Sequence, residues 1–330
     1  MVSSRIRLAT LALLAVLAGG HAVTVAGELP LNPIFPGADP HALVVGKEVW
    51  IYPTCRTGRR GPGFLAFSSR DLKTWQRHGP VLEFRDVRWI GDDGQKRHHA
   101  WAPAVAERDG KYYFYYSVGP QGVTPSRIGV GVGDSPAGPF KDSGKPLLAG
   151  GKGFEAIDPM VFGDPKSGTY YFYVGGSAGR RLRVFEMNRD MVSFAREIEV
   201  KTPRHFTEAP FLHVREGVYT LSYSRGRWNR ASYSVHYATA ASPTGPWTHR
   251  GAILTSSGKR KGPGHHSIIR HPVTKEWLIV YHRWEGKAGN GPYRGSRQVC
   301  IDRLVYDDRG LIRPVKMTGG KGAGPAVPPR

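Results

Sequence analysis

The sequence predicts an all-β fold, a five-bladed β-propeller with four antiparallel strands in each blade, and three observations carry that prediction. Five times, an apolar strand that begins at a proline or small residue is followed, after a short turn, by an aromatic-rich strand. The copies read ADPHALVVGKEVWIYPT, WAPAVAERDGKYYFYYSVG, IDPMVFGDPKSGTYYFYVGG, TEAPFLHVREGVYTLSYSRG and HHSIIRHPVTKEWLIVYHRW. Repetition at a period of roughly 50 to 60 residues, each unit rich in strand signals, is the pattern of a propeller. The second halves repeat as well: units two and four share SP-x-GP-aromatic in GVGDSPAGPFKDSGKPLL and YATAASPTGPWTHRGAIL. Units one and three share an R-D-apolar turn in SSRDLKTWQRHGPVL and MNRDMVSFAREIEV. Finally, the 330 residues, less their two ends, suffice for one large core. Two stacked sandwiches would also use many short strands, but the five-fold repeat favours the propeller.

In chain order, residues 1–22 read as a signal peptide. Arg5 and Arg7 precede the apolar run LATLALLAVLA, which is too short for a membrane span, and small residues follow up to Ala22. No other stretch approaches a span, so the expectation is an exported protein, secreted or periplasmic. The propeller is placed at residues 28–318. EFRDVRWIGDDGQKRHH, between units one and two, is the longest insertion and is expected to shape the pocket rim. Unit five ends in RQVCIDRLVYDDRGLIRPVKM, whose DDRG turn suits a hairpin. Residues 319–330, GGKGAGPAVPPR, read as a disordered low-complexity tail.

The net charge of +21 raises the question of nucleic acid or acidic polymers as partners. No nucleic-acid motif accompanies it and the arginines are scattered over turns, so the reading is a solvated surface, a monomer and no nucleic-acid partner. RGRWNR at 225–230, with Arg283, Lys287, Arg294 and Arg297, would nevertheless make a basic rim suited to an acidic glycan. Cys55 and Cys300 lie in the first and last units, which ring closure makes neighbours. Export permits a disulfide between them, and two unpaired buried thiols are the alternative. No cysteine or histidine cluster has zinc spacing, so no cofactor is required for the chemistry.

Three units carry a carboxylate where the first strand begins: Asp39, Asp158 and Glu208. The first strand of a propeller blade is innermost, so these positions converge on the axis at one face. A proline at a strand start forfeits no ladder bond. Like charges gathered in one pocket are costly unless the site uses them. Blades three and four are neighbours, about 72° apart in a five-fold ring, and blade one stands about 144° from both. Asp158 beside Glu208 therefore raises its pKa and keeps it protonated as a general acid, while Asp39 faces them, placed to activate a water. That is the arrangement of an inverting glycosidase, whose acid and base stand about 6.5–9.5 Å apart.

NPIFPGADPH, the blade-two WAP, IDPMVF, TEAPFL and GPGHHS, in this order and at these spacings, resemble glycoside hydrolase family 43 over nearly the whole mature chain. The resemblance implies a five-bladed propeller that hydrolyses α-L-arabinofuranosides or β-D-xylosides of polysaccharides or oligosaccharides with inversion. It implies Asp39 as general base, Asp158 as modulator of the acid's pKa and orienter of substrate, and Glu208 as general acid. It also implies an axial histidine, His265 with His266 as the alternative, used in some members through a hydrated calcium or other ion. Arg297 is implied to reach substrate and carboxylates, and Trp101 and Ile157 to line the sugar pocket, a core tryptophan being the alternative for Trp101.

Many members carry a sandwich domain after the propeller, for which this chain leaves no room. That favours an exo-acting α-L-arabinofuranosidase over a β-xylosidase, with galactofuranose and endo-arabinan cleavage open. A silent glycan-binding propeller could dispense with the three carboxylates, and a phosphorolytic one would need a phosphate site beside a single acid. The N-D-P-N-G start of the fructan-cleaving propellers is absent.

Overall fold

The computed structural model describes residues 29–55, 62–120, 124–151 and 153–319. The expected signal peptide at 1–22 and the expected tail beyond Gly319 lie outside them. The chain forms five antiparallel sheets around one axis. Blade one consists of Ala38–Val45, Glu48–Thr54, Gly63–Ser69 and Gln76–Glu83. Blade two has His99–Arg108, Lys111–Gly119 and Arg127–Gly133, and its outer edge is split between Lys141–Asp142 and Leu148–Ala149. Blades three and four follow in the same order: Met160–Gly163, Tyr170–Val174, Arg183–Met187 and Phe194–Ile198, then Glu208–Arg215, Val218–Arg225, Ser234–Ala240 and Thr248–Leu254.

Blade five departs from the local reading. Lys261–Arg270, Trp277–Trp284 and Gln298–Arg303 supply three strands, and the fourth is Phe35–Pro36 from the other end of the chain. Phe35 pairs with Val299, and the Asn32 side chain continues the ladder by donating to Ile301 O at 2.8 Å and accepting from Ile301 N at 2.9 Å. The DDRG segment does turn, with Asp307 N donating to Leu311 O at 2.8 Å. It closes only a single Tyr306–Ile312 bridge and adds no strand to the blade. Borrowing the short Phe35–Pro36 strand from the other end of the chain covers the outer side of Gln298–Arg303 and shuts the ring.

The aromatic runs are explained by burial on both sheet faces. Successive side chains of a strand point to opposite faces, so in Lys111–Gly119 the rings of Phe114 and Tyr116 enter the layer shared with blade one, and Tyr115 enters the layer shared with blade three. Buried phenols find acceptors where the layers end: Tyr115 donates to Met191 O at 2.8 Å and Tyr116 to Asp142 Oδ1 at 2.5 Å. The same alternation separates the cysteines. Cys55 packs with the layer that holds Val299 and Ile301, whereas Cys300, between them in sequence, faces the other side with Tyr281, and both thiols are free. The insertion between blades one and two is pinned rather than loose. Its two 3₁₀ turns, Phe84–Asp86 and Arg88–Asp93, bury Trp89 beneath the Arg127 guanidinium, 4.9 Å from the ring centroid. Among the described residues no helix is long and apolar enough to cross a membrane.

Candidate active site

Each innermost strand begins with the same backbone device. Asp39, Ala102, Asp158, Ala209 and His265 all have positive φ, between 36° and 59°, a conformation that costs a non-glycine residue energy and is retained where the surroundings enforce it. Around four of them the strand register shifts: between Ala38 and His41, Trp101 and Ala104, Glu208 and Phe211, and Gly264 and His266. Such a bulge takes residues out of the ladder and re-aims their side chains, here toward the axis.

The freed N–H groups are taken up by the preceding blade. Asp39 N donates to His282 Nδ1 at 3.0 Å, Ala102 N to Thr54 Oγ1 at 2.6 Å, Asp158 N to Ser117 Oγ at 3.1 Å, and His265 N to Ser224 Oγ at 2.9 Å. All four acceptors lie near the end of a second strand. In blade three that place is held by Gly175, whose N–H donates to Ile157 O at 3.2 Å and where a Cβ would lie 2.2 Å from Arg181 O. With no side chain there, Ala209 N–H donates to the Asp158 carboxylate instead. One interruption in the pattern thus ties the blade-three carboxylate to the strand that carries Glu208.

The device also corrects the alignment of the three carboxylates. Asp39 and Asp158 occupy the left-handed position, and so does His265, but Glu208 stands one residue earlier, level with Ala38, Trp101, Ile157 and Gly264. Gly264 leaves the matching place in blade five empty. A Cβ there would fall 2.0 Å from the Tyr233 ring, and through that gap Tyr233 reaches Glu208 Oε1 and donates to it at 2.6 Å. The Tyr233 ring stacks on His282 at 5.8 Å and 8°, so one run of side chains joins Glu208 to the residue that holds Asp39 N–H.

The three carboxyls are buried and differ in charge state. At Asp39 burial favours the neutral form, but Arg297, whose Nη1 lies 2.8 Å from Oδ1, His265, His282 and a hydrogen bond from Thr54 together outweigh it and hold the carboxyl well below its usual range. Burial pushes Glu208 up to about 7. The charges of Asp39 and Glu155 add to that rise, and the Tyr233 hydroxyl and Arg297 act against it. Asp158 is also raised, by burial first and then by the charges of Glu208, Asp39 and Glu155. Burial, more than a neighbouring carboxylate, is therefore the main cause at Glu208, and because charge coupling is mutual, Asp158 and Glu208 titrate as a pair. His265 lies between the outer carboxylates, its Nδ1 3.5 Å from Asp39 Oδ1 and 3.5 Å from Asp158 Oδ2, and burial lowers it to about 4. His266 instead faces Ser222 Oγ at 2.6 Å.

Of the other expected residues, Trp101 is half-buried and stacks on His99 at 5.4 Å, and Ile157 is buried beside Asp158. Arg283 does not belong to a basic rim: it is wholly buried, paired with Glu285 at 2.7 Å and donating to Thr318 O at 2.8 Å. Sequence reasoning missed Tyr233, His282, Thr54 and Glu155. Glu155 is a fourth buried carboxyl whose Oε2 accepts from Ala178 N at 2.8 Å, and burial raises its pKa. A calcium ion takes about six to eight oxygen ligands, and among the described residues no group of three or more His, Cys, Asp or Glu has metal-binding geometry. His265 by itself builds no coordination sphere, so no chemical step is assigned to a metal.

The arrangement yields an immediate prediction. A hydrogen bond to the charged form of a carboxyl favours that form, so Tyr233→Phe makes Glu208 harder to ionise. The basic limb of the pH–activity profile should move to higher pH, read from kcat/KM across the range; an unmoved limb would mean that Tyr233 has no hold on the group that titrates.

The family model for glycosyl hydrolases family 43 matches residues 30–312. A beta-D-galactofuranosidase of Aspergillus niger is 35% identical over 317 residues, which cover 90% of this chain and 88% of that protein. A xylosidase/arabinosidase of Bacteroides ovatus is 32% identical, covering 83% of this chain and 93% of its own length. A solved family-43 β-xylosidase/α-arabinofuranosidase from a compost microbial metagenome, in complex with xylotriose, superposes with a TM-score of 0.69 at 30% identity, covering 87% of this chain and 97% of its own. The bulged strand starts, the buried carboxyls they deliver and these matches agree: the chain is a glycoside hydrolase and belongs to glycosyl hydrolase family 43.

Proposed function

We propose that the chain is an inverting exo-glycosidase that removes terminal α-L-arabinofuranosyl residues, with Glu208 as general acid, Asp39 as general base and Asp158 as the residue that sets the acid's proton affinity. The observation that carries this is the opposed protonation of carboxyls in one pocket. Glu208 keeps its proton up to about pH 7, and Asp39 is held ionised by Arg297 at 2.8 Å. A proton held at Glu208 Oε can pass to the departing glycosidic oxygen, while Asp39 draws a proton from a water that attacks the anomeric carbon from the other face. Arg297 keeps Asp39 charged before the step and Asp158 receives a hydrogen bond from Ala209 N–H that orients it. Export directed by residues 1–22 would deliver the enzyme to polysaccharide outside the cytoplasm.

A second reading is supported by the galactofuranosidase among the relatives. β-D-Galactofuranose has the ring configuration of α-L-arabinofuranose and an additional exocyclic carbon, so room beyond C5 discriminates the two. Aryl α-L-arabinofuranoside, β-D-galactofuranoside and β-D-xyloside compared by kcat/KM decide it. The arabinofuranoside is expected to be fastest, and a faster galactofuranoside or xyloside would replace the proposed specificity.

Asp158→Asn tests the pairing. In the wild type the last proton of the pair leaves against the charge of the other carboxylate; the amide removes that charge, so Glu208 ionises more readily. The basic limb is expected to move to lower pH in whatever activity remains, opposite in sign to Tyr233→Phe. A limb that stays or rises would contradict the coupling.

A further inference from the structure

Ion pairs occur on both faces of the ring, the catalytic face included, where Arg85 pairs with Glu83, Arg127 with Asp93 and Arg183 with Glu197, but a group of exposed arginines around the pocket has none among the described residues. First strands start at the pocket, so loops joining second to third strands, and fourth strands to the next blade, lie on the catalytic face, and the remaining loops lie opposite. On the far side Arg70 pairs with Glu48 at 2.8 Å, Arg215 with Glu216 at 2.6 Å, Arg303 with Glu276 at 2.9 Å, and Lys111 with Asp134. On the catalytic face Arg180, Arg204, Arg225, Arg227 and Arg294 are exposed and, among the described residues, form no ion pair. Arg204 and Arg225 stand close enough together that both hold the His205 imidazole below its usual range, after burial. Cations left without partners around a cleft raise the local concentration of anions and speed their arrival.

A second feature lies among them. Trp228 is 46% exposed on the loop that runs from Arg225 to Tyr233, the residue bonded to Glu208. The Arg297 guanidinium, which touches Asp39, lies 4.9 Å from its ring centroid, and Trp284 Nε1 donates to Trp228 O at 3.0 Å. An indole fixed in this way and open to solvent offers an apolar face to a sugar ring. The pocket itself offers no free countercharge to an anionic sugar: Arg297 is already paired with Asp39 at 2.8 Å, and an unpaired charge in a buried site is costly.

We propose that the substrate is an acidic glycan, a neutral terminal sugar borne on a chain whose uronic-acid carboxylates lie over Arg204, Arg225 and Arg227 while one of its rings rests on Trp228. This rests on the glycosidase reading above and adds the class of polymer. Guanidinium groups spaced over separate loops suit single carboxylates repeated along a chain, each taken by an Arg fork.

The test compares an arabinofuranosylated, glucuronic-acid-bearing xylan with the same polymer after its carboxyls are reduced to alcohols. At low salt kcat/KM for sugar release is expected to be about tenfold or more higher on the acidic polymer. The gap should close by about 1 M salt, where screening acts within about 3 Å. It should also largely disappear in the variant Arg204→Ser, Arg225→Ser, Arg227→Ser, with circular dichroism confirming its fold. Equal rates on the two polymers, or a gap that survives salt or the triple substitution, overturn the proposal. Failure to release sugar from either polymer and from every neutral aryl furanoside refutes the glycosidase reading instead.

Discussion

Glu208→Gln is expected to slow release of sugar from a natural glycan by about 10²–10⁴-fold, the usual worth of general acid catalysis, and to spare a dinitrophenyl glycoside, whose leaving group needs no proton. The amide keeps the length of the side chain and can still accept from Tyr233, so the fold and the blade-four strand start are left in place. Measuring kcat/KM on both substrates separates acid catalysis from binding, and equal losses would place the acid elsewhere. The backbone adds a second arm. Glu208 projects from one residue before the left-handed position used by Asp39 and Asp158, so its additional methylene compensates for a different origin. Glu208→Asp should therefore lose nearly as much on the natural glycan as Glu208→Gln, although it retains a carboxyl.

That offset was already written in the sequence. Aligned on proline, ADP, IDP and EAP set Ala209, not Glu208, level with Asp39 and Asp158, and the positive φ shared by those three residues gives the offset its structural meaning. Asp39 and Asp158 were legible because each sits at the start of a repeated strand, whereas Arg297 and His265 were named only through the family resemblance. Tyr233 and His282 were not legible, because their roles depend on which side chain lies across an inter-blade gap, and Gly264 matters only because a tyrosine ring fills the space it vacates. The fold was legible as five units because aromatic-rich second strands are buried on both faces. The source of the last strand was not, since Phe35 pairs with Val299 from the far end of the chain, and local pattern carries no record of such a partner. The cysteines were decidable in principle: Cys300 alternates with Val299 and Ile301, and only those two face the layer that Cys55 joins. Charge behaved differently again. A net +21 says how much is unbalanced, and only the structure says which arginines beside the pocket stand without an ion pair among the described residues.

The sugar released first should have the anomeric configuration opposite to that of the substrate. Inversion needs a water between base and anomeric carbon, and retention needs a carboxylate close enough to bond that carbon, with the two carboxyls about 6.5–9.5 Å apart in the first case and about 5–5.5 Å in the second. The ring puts Asp39 two blades from Glu208, and His265 Nδ1 stands between Asp39 and Asp158, 3.5 Å from each, which keeps Asp39 on the opposite side of the pocket from the pair. Asp39 is also poorly disposed to act as a nucleophile, because the Arg297 guanidinium at 2.8 Å holds its charge in place and stabilises the free carboxylate over an ester. Proton NMR of the first product, read before mutarotation, checks the configuration. Asp39→Ala should cut turnover by about 10²–10⁴-fold, as loss of a general base does, with no glycosyl-enzyme accumulating in the mass spectrum of the intact protein. A retained configuration, or a covalent adduct on Asp39, Asp158 or Glu208, would reassign all three roles while leaving the propeller as it stands.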